Sequence, residues 1–163
     1  MTKLNDGMFS TGNTVIETPQ WLFDLLDAEF HFTLDACALA ENAKCARYYT
    51  PEDDGLKRKW EGSVWVNPPY GREIGKWTDR AKQQIRYKRV EWVVMLLPAR
   101  TDTKWWHRSV MKAAQQIRFI EGRLRFVGAT GSAPFPSIIV IYHRNRRTYP
   151  YLIVGPTINA RGQ

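Results

Sequence analysis

Apolar positions along this chain fall into alternating helix-like and strand-like stretches. Trp21, Leu22, Leu25 and Leu26 stand at i, i+1, i+4 and i+5, an apolar face that predicts an amphipathic helix over residues 19–29. Thr18 can cap it, and Pro19 suits the first turn, where its missing N–H costs nothing. Phe32, Leu34 and Ala36 alternate with Thr33 and Asp35, which predicts a short strand ending near Asp35. From Leu39 to Lys59 the pattern is irregular, with Pro51 and Gly55 as punctuation. Ser63 to Val66 is a β-prone run cut off by Asn67-Pro68-Pro69-Tyr70-Gly71, a strand followed by a rigid loop.

Ile74, Trp77, Ala81 and Ile85 then recur with Lys and Arg between them, so residues 72–88 predict a basic amphipathic helix. The continuous apolar run from Trp92 to Leu97, closed by Pro98, reads as a parallel strand buried on both faces. Thr101 or Asp102 can cap a helix running to about Ala114, with Trp106, Val110 and Ala113 on one face. Gln116–Ile120 and Ile138–Tyr142 are further strands, separated by a Gly- and Pro-rich stretch at 128–136. Tyr149–Val154 adds a last short strand before a polar tail at 156–163, and residues 1–16 read as a poorly ordered arm. Strands alternating with helices imply an α/β layered sheet, and with no repeat or linker in view a single domain over 1–163 is expected.

Composition agrees with that outline. The 163 residues are 44% apolar and 13% aromatic, enough for one well-filled core and unlike a disordered or fibrous chain. Apolar runs stay far short of the roughly 18 residues of a membrane span, and the first residues lack the charged-then-apolar order of a signal peptide. With Cys37 and Cys45 the only cysteines, a disulfide scaffold or a four-thiolate zinc site has no support, and a reducing cytoplasmic setting is expected. The net charge of +8 is unevenly spread: residues 1–56 carry 3 Lys+Arg against 10 Asp+Glu, and residues 57–163 carry 21 against 6. So basic a remainder suits a polyanionic partner, although a solvated face kept for solubility has the same signature.

The chemistry concentrates at Asn67-Pro68-Pro69-Tyr70, directly after a predicted strand, where open α/β sheets place their ligands. One reading is a stiff turn between strand and helix. The other is a site for an exocyclic aromatic amine. Such an amine is a poor nucleophile, because its lone pair is delocalised into the ring. Two acceptors holding both N–H groups favour a more pyramidal nitrogen, and the Asn67 side-chain oxygen and the Pro68 carbonyl can serve. Pro69 stiffens the loop, and Tyr70 offers a ring on which an unstacked base can lie.

This arrangement resembles a family. Asn-Pro-Pro-Tyr after a strand is an amino-methyltransferase signature, and residues from about Thr18 to Tyr142 resemble the small bacteriophage-type, Dam-like DNA N6-adenine methyltransferases. The resemblance lies in ThrProGln and TrpLeuPhe (18–23), LeuAspAlaCysAla (34–38), AspGlyLeu (54–56), ValAsnProProTyrGly (66–71), LeuLeuProAlaArgThrAspThr (96–103), GlyArgLeuArgPhe (122–126) and AlaProPhePro (133–136), in that order. It implies an abbreviated Rossmann-like, S-adenosylmethionine-dependent methyltransferase sheet with helices on both faces, working on double-stranded DNA in the cytoplasm of a bacterial host. It further implies that Thr18 and Pro19 contact the methionine end of S-adenosylmethionine and that Asp35, Ala36 and Cys37 form the cofactor loop. Asp54 would hydrogen-bond the cofactor's adenine, Asn67 to Tyr70 would hold the target adenine, and Phe135 would be a second aromatic wall. Two departures stand out. Ala36-Cys37-Ala38 replaces the family fold's usual glycine-rich turn, and between Asp35 and Val64 there is room for only one abbreviated strand–helix unit.

Other residues carry weaker signals. Cys37 could act as a nucleophile toward cytosine C5, but no Pro-Cys loop accompanies it, and a buried small residue is the simpler reading. His31, His107 and His143 show no metal-ligand spacing, so no metal is expected. Glu52-Asp53-Asp54 could be a metal site or a capping loop, and one cofactor contact, Asp54, is favoured. Arg72, Lys76, Arg80, Lys82, Arg86, Lys88 and Arg89, against Glu73 and Asp79, suggest phosphate contact beside the base pocket, with a solvated helix face as the alternative. Arg100 and Asp102 should edge the pocket, while Arg123 and Arg125 with Phe135 could enter a groove. Trp105 and Trp106 suit the core. Three functions compete: adenine N6 methylation in DNA, methylation of a protein glutamine, whose amide poses the same problem, and a non-catalytic DNA-binding module. The intact loop and the basic remainder favour the first.

Overall fold

In the computed structural model, residues 16–145 and 153–162 are described, so all of the expected N-terminal arm but Ile16, and most of the predicted 149–154 strand, lie outside the described residues. Helix α1 spans Gln20–Phe30, strand β1 Leu34–Asp35, β2 Gly62–Val66, α2 Ile74–Gln84 and β3 Val90–Pro98. A π-helical turn, Trp106–Val110, runs into α3, Met111–Ala113. Strands β4, Gln116–Glu121, and β5, Ser137–His143, follow, with the short β6, Ile153–Val154, and β7, Ile158–Asn159, at the end. The sheet order is β1-β2-β3-β5-β4-β6, and β7 pairs with β4 beyond β6. Strands β1, β2 and β3 run parallel, whereas β5 is antiparallel to both β3 and β4. The run from Trp92 to Leu97 is therefore parallel to one neighbour only.

Alternation along the central strands divides the core into two layers. Val64, Val66, Val93, Met95, Leu97, Ile138 and Val140 pack with Ile74, Trp77 and Ala81 of α2 and with Trp106 and Val110. The intervening Trp65, Val94, Leu96, Ile139 and Ile141 meet Leu22, Phe23, Leu26 and Phe30 of α1. Each strand is buried on both faces because helices cover both sides of the sheet. Burial of these side chains contributes roughly 1.5–3 kcal/mol each, the main favourable term in holding the layers together.

Four expectations need correction. The inward face of α1 is Leu22, Phe23, Leu26 and Phe30, and Leu25 is 52% exposed. Pro19 occupies the N-cap position with no side-chain cap, so Thr18 does not cap the helix. The helix expected from residue 101 to 114 is broken by the wide turn at 106–110, where Arg108 binds Asp79 bidentately, at 3.0 and 2.5 Å, and the Ser109 hydroxyl binds the same carboxylate. The 156–163 segment is not merely a polar tail, since Ile158 is buried in β7 and Gly162 lies on the Trp21 ring.

The 36–61 segment holds no helix. Its chain instead covers the open edge of β1: Asp35 N–H donates to the Arg47 carbonyl at 3.0 Å and Tyr49 N–H donates to the Asp35 carbonyl at 3.0 Å. Edge strands need such cover. The sheet is shortened at this side, and a loop stands where a further strand–helix unit would be. Among the described residues, no helix is long and apolar enough to cross a membrane.

Candidate active site

Strands β1 and β2 end side by side, with Leu34 opposite Val64 and Asp35 opposite Trp65. Their carboxyl ends open on a cavity of about 320 Å³. From the acidic part of the chain it takes Thr18, Asp35, Ala36, Cys37 and Asp54, and from the loop after β2 it takes Asn67, Pro68 and Pro69. The structure thus gathers eight of the expected site residues, drawn from four separate stretches of sequence. Pro19 does not line this cavity. Its carbonyl instead accepts the N–H groups of Leu22 and Phe23 at the start of α1.

Asn67 is held from behind. Its Nδ2 donates to the Ile16 carbonyl at 2.5 Å and to the Thr18 hydroxyl oxygen at 3.1 Å. A carbonyl can only accept, so the amide nitrogen must face Ile16 and the oxygen must face the other way. Oδ1 is buried and has no hydrogen-bond partner among the described residues. Buried acceptors are nearly always satisfied, and an orphan calls for a ligand or a water. The Pro68 carbonyl likewise accepts no backbone N–H among the described residues.

Asp35 lies on the cavity wall at 3% exposure. Its carboxylate accepts the backbone N–H of Cys37 at 3.2 Å and that of Lys44 at 3.1 Å. Burial raises its pKa to about 6 against those two hydrogen bonds and the nearby Lys44 charge. Lys44 itself reaches Glu17 at 3.2 Å and Gln20 at 3.0 Å. Burial and the Asp35 charge push the Cys37 thiol up to about 12, so it is not a nucleophile at neutral pH. Asp54 has a positive φ of 55° and pairs with Lys57 at 2.8 Å, which together with hydrogen bonding holds its carboxyl below the usual range. Gly55 next to it packs against the Ala36 carbonyl so tightly that a Cβ there would stand 2.1 Å from the oxygen.

The other flank of the loop is solid. The Tyr70 hydroxyl donates to the Leu96 carbonyl at 3.3 Å, and its ring meets Phe135 at 5.3 Å and Phe126 at 6.1 Å, both edge-on. Phe135 is 7% exposed. Phe135 therefore stands beside Tyr70 as expected, but the two rings touch each other instead of walling an open slot. Arg123 and Arg125 point outward from the same segment, alternating with buried Leu124 and Phe126. Arg72, Lys76 and Arg100 are also exposed, Lys76 within 2.7 Å of Glu73. Several other cations of the α2 region are engaged internally: Arg80 donates to the Arg58 carbonyl, Lys82 to the Arg108 carbonyl and Arg89 to the Trp60 carbonyl.

Sequence reasoning missed Ile16, Glu17 and Lys44, which support the site, and Gly55, Trp65 and Trp77, which shape it. Gly55 had a signal, an Asp-Gly pair inside an irregular stretch. Ile16 had none, because it acts through its backbone carbonyl.

A family profile described as DNA N-6-adenine-methyltransferase (Dam) matches residues 11–161. The DNA N-6-adenine-methyltransferase of Haemophilus phage HP1 is 32% identical over 113 residues, which cover 68% of this chain and 64% of the relative. That of Escherichia phage T1 is 33% identical over 135 residues, 71% of this chain and 55% of the other. The chain thus spans between about half and two thirds of the length of these relatives. A solved structure from Listeria monocytogenes, described as a candidate class I S-adenosylmethionine-dependent methyltransferase, superposes with a TM-score of 0.51 over 86% of this chain and 65% of that one. At 11% identity it speaks for the fold alone. On the span of the family match and the order of its motifs, this chain belongs to the DNA N-6-adenine-methyltransferase (Dam) family.

Proposed function

We propose that this chain transfers a methyl group from S-adenosylmethionine to the N6 amine of an adenine turned out of double-stranded DNA, in the cytoplasm of a bacterial host. The observation that carries this reading is the Asn67 Oδ1, a buried acceptor whose amide nitrogen is already committed and which has no partner among the described residues. Such an atom suits an N–H donor that arrives with a substrate. Adenine N6 brings two, and the Pro68 carbonyl can take the second. Held so, the nitrogen loses conjugation with the ring and its lone pair becomes available. No general base is needed for that step, which fits a loop of Asn, two Pro and Tyr.

The cavity beside Asn67 suits the methyl donor. Its volume of about 320 Å³ lies in the range of small-molecule sites, roughly 300–1,000 Å³. Trp65 and Trp77 supply apolar wall, the buried Asp35 carboxylate complements a cation, and the partly exposed Asp54 lines the same cavity and suits a polar ring edge. When bound, S-adenosylmethionine supplies a methyl group made electrophilic by its sulfonium. Asp35 and the backbone around Ala36 and Cys37 would hold it, and Asp54 would orient it. The tight Gly55–Ala36 contact closes the wall behind it.

On the far flank, Arg72, Arg100, Arg123 and Arg125 are exposed cations for the DNA phosphates, and Tyr70, only partly buried, follows Asn67 in the same loop. This basic rim favours DNA over a protein glutamine as substrate. The test is transfer of a labelled methyl group to duplex DNA, with N6-methyladenine recovered after digestion and a loss of more than about 100-fold in kcat for Asn67→Ala, the scale of a lost oriented contact to the reacting group. No methylated adenine, with Asn67→Ala equal to the parent, rejects the proposal.

A further inference from the structure

We propose that the Ile16–Thr18 strap is a positioning element for the catalytic loop: the Ile16 carbonyl sets which way the Asn67 amide faces, and the Thr18 hydroxyl holds the amide in its plane. This rests on Asn67 being the amine-holding residue. It differs from the role that family resemblance implies for Thr18, a contact to the methionine end of the cofactor.

The argument starts from the two N–H groups of a primary amide. Both are used behind Asn67, one by the Ile16 carbonyl at 2.5 Å and one by the Thr18 Oγ1 at 3.1 Å. Turning the amide over would set Oδ1 against the Ile16 carbonyl, which can only accept, and lose that bond, whereas the Thr18 hydroxyl can accept or donate. The Ile16 carbonyl therefore sets which way the amide faces, and Thr18 holds its tilt. Oδ1 is thereby aimed away from the strap, buried and without a partner among the described residues. A lone Ile16 contact would leave the amide freer to tilt. Thr18 supplies the second point that defines its plane.

The strap is itself fixed on three sides. Pro19, with φ −56° and ψ 134°, is extended and restricts Thr18 to an extended backbone as well. The Glu17 carbonyl accepts the Val127 N–H at 3.1 Å, forming a single antiparallel bridge to the basic segment. The Glu17 carboxylate meets Lys44 at 3.2 Å, and the Lys44 backbone N–H in turn donates to Asp35. Thr18 is buried, at 2% exposure. One short strap thus touches the catalytic amide, the cofactor wall and the DNA-facing segment.

Thr18→Val keeps the shape and removes only the hydroxyl, and Thr18→Ser keeps the hydroxyl. For a positioning role, Thr18→Val lowers kcat by about tenfold or more at saturating cofactor and DNA, leaves the calorimetric dissociation constant for S-adenosylmethionine within about twofold, and Thr18→Ser returns kcat to within about threefold of the parent. A Thr18→Val protein with normal kcat but cofactor binding weakened tenfold overturns the proposal in favour of a direct cofactor contact. So does one unchanged in both. Nuclear magnetic resonance of the ligand-free parent provides a reading that does not depend on turnover: the Asn67 side-chain NH2 must exchange slowly with water, and more slowly than in Thr18→Val if that variant folds. Rapid exchange in the parent overturns the proposal even if Thr18→Val does not fold. If Asn67→Ala remains fully active, the amine-holding role of Asn67 fails, while the exchange measurement still reports whether the strap orients the amide.

Discussion

Residues 36–61 and 122–136 are both long, glycine-punctuated and, single bridges at Tyr48 and Val127 apart, without regular structure. Both lean on the end of β2, where Asn67 stands. The first is built by backbone. Its carbonyls and N–H groups pair with β1 and with each other, Trp60 Nε1 ties down the Gly55 carbonyl at 2.8 Å, and the result encloses space. The second is built by side chains. Leu124, Phe126, Ala133 and Phe135 are buried against the α1 layer, the segment lends no residue to the cavity beside Asn67, and Arg123 and Arg125 are left outside. A loop stitched by its own backbone can hold a small ligand inside. A loop pinned by buried rings can only offer its outer face, which suits a large polyanion.

The same substitution should separate them most sharply. At Gly55 an added Cβ would lie 2.1 Å from a backbone oxygen that cannot swing aside, whereas at Gly131 nothing lies within 4 Å. Overpacking of that kind costs about 1–3 kcal/mol or more. Gly55→Ala should therefore lower the melting temperature by roughly 3–10 °C and weaken S-adenosylmethionine binding more than about tenfold. Gly131→Ala should leave both unchanged. Equal behaviour of the two variants in thermal melts and cofactor titrations would erase the distinction.

Next in size is the response of the outer face. Arg123→Ala with Arg125→Ala should reduce DNA affinity by about tenfold at moderate salt and flatten the salt dependence by about one to two phosphate contacts, with cofactor binding untouched. An unchanged slope of affinity against salt would mean that these cations are only solvated, and Arg72 and Arg100 would be next to test.

How much of this was readable beforehand follows from what each feature is made of. The alternation of Val93, Val94, Met95, Leu96 and Leu97 between two layers follows from period-2 burial, and the site at the end of β2 follows from a strand that stops at Asn67-Pro68. The α1 face was misplaced because Trp21, Leu22, Leu25 and Leu26 satisfy helical spacing as well as Leu22, Phe23, Leu26 and Phe30 do, and only the position of Trp65 opposite Phe23 decides between them, at 5.8 Å between rings. Thr18 before Pro19 resembles a generic cap, yet its hydroxyl faces a residue 49 positions away. The α2 cations read as one phosphate-facing row, but long basic side chains reach nearby carbonyls, and Arg80, Lys82 and Arg89 do so here. Backbone acceptors such as Ile16 leave no mark in a sequence at all.

The smallest expected effect concerns pH, and it has opposite signs on the two sides of cofactor binding. Burial holds the Asp35 pKa at about 6, above the usual 3.8. Between those values the folded protein binds more protons than the unfolded chain, so the stability of the ligand-free protein should fall as pH rises through that window. A cationic ligand prefers the ionised carboxylate, so its affinity should rise over the same range. Taking the pKa at about 6, cofactor binding should weaken about fourfold between pH 7.5 and 5.5, while the ligand-free protein melts higher at pH 5.5. Asp35→Asn should flatten both curves. Cys37, pushed up to about 12, stays neutral and cannot mimic the response. The exposed 122–136 segment carries Arg123 and Arg125 but no Asp, Glu or His, and adds no titration of its own near pH 6. A cofactor affinity that is flat from pH 5.5 to 7.5 would therefore remove Asp35 from contact with the cation and leave the cavity's preference to its apolar walls.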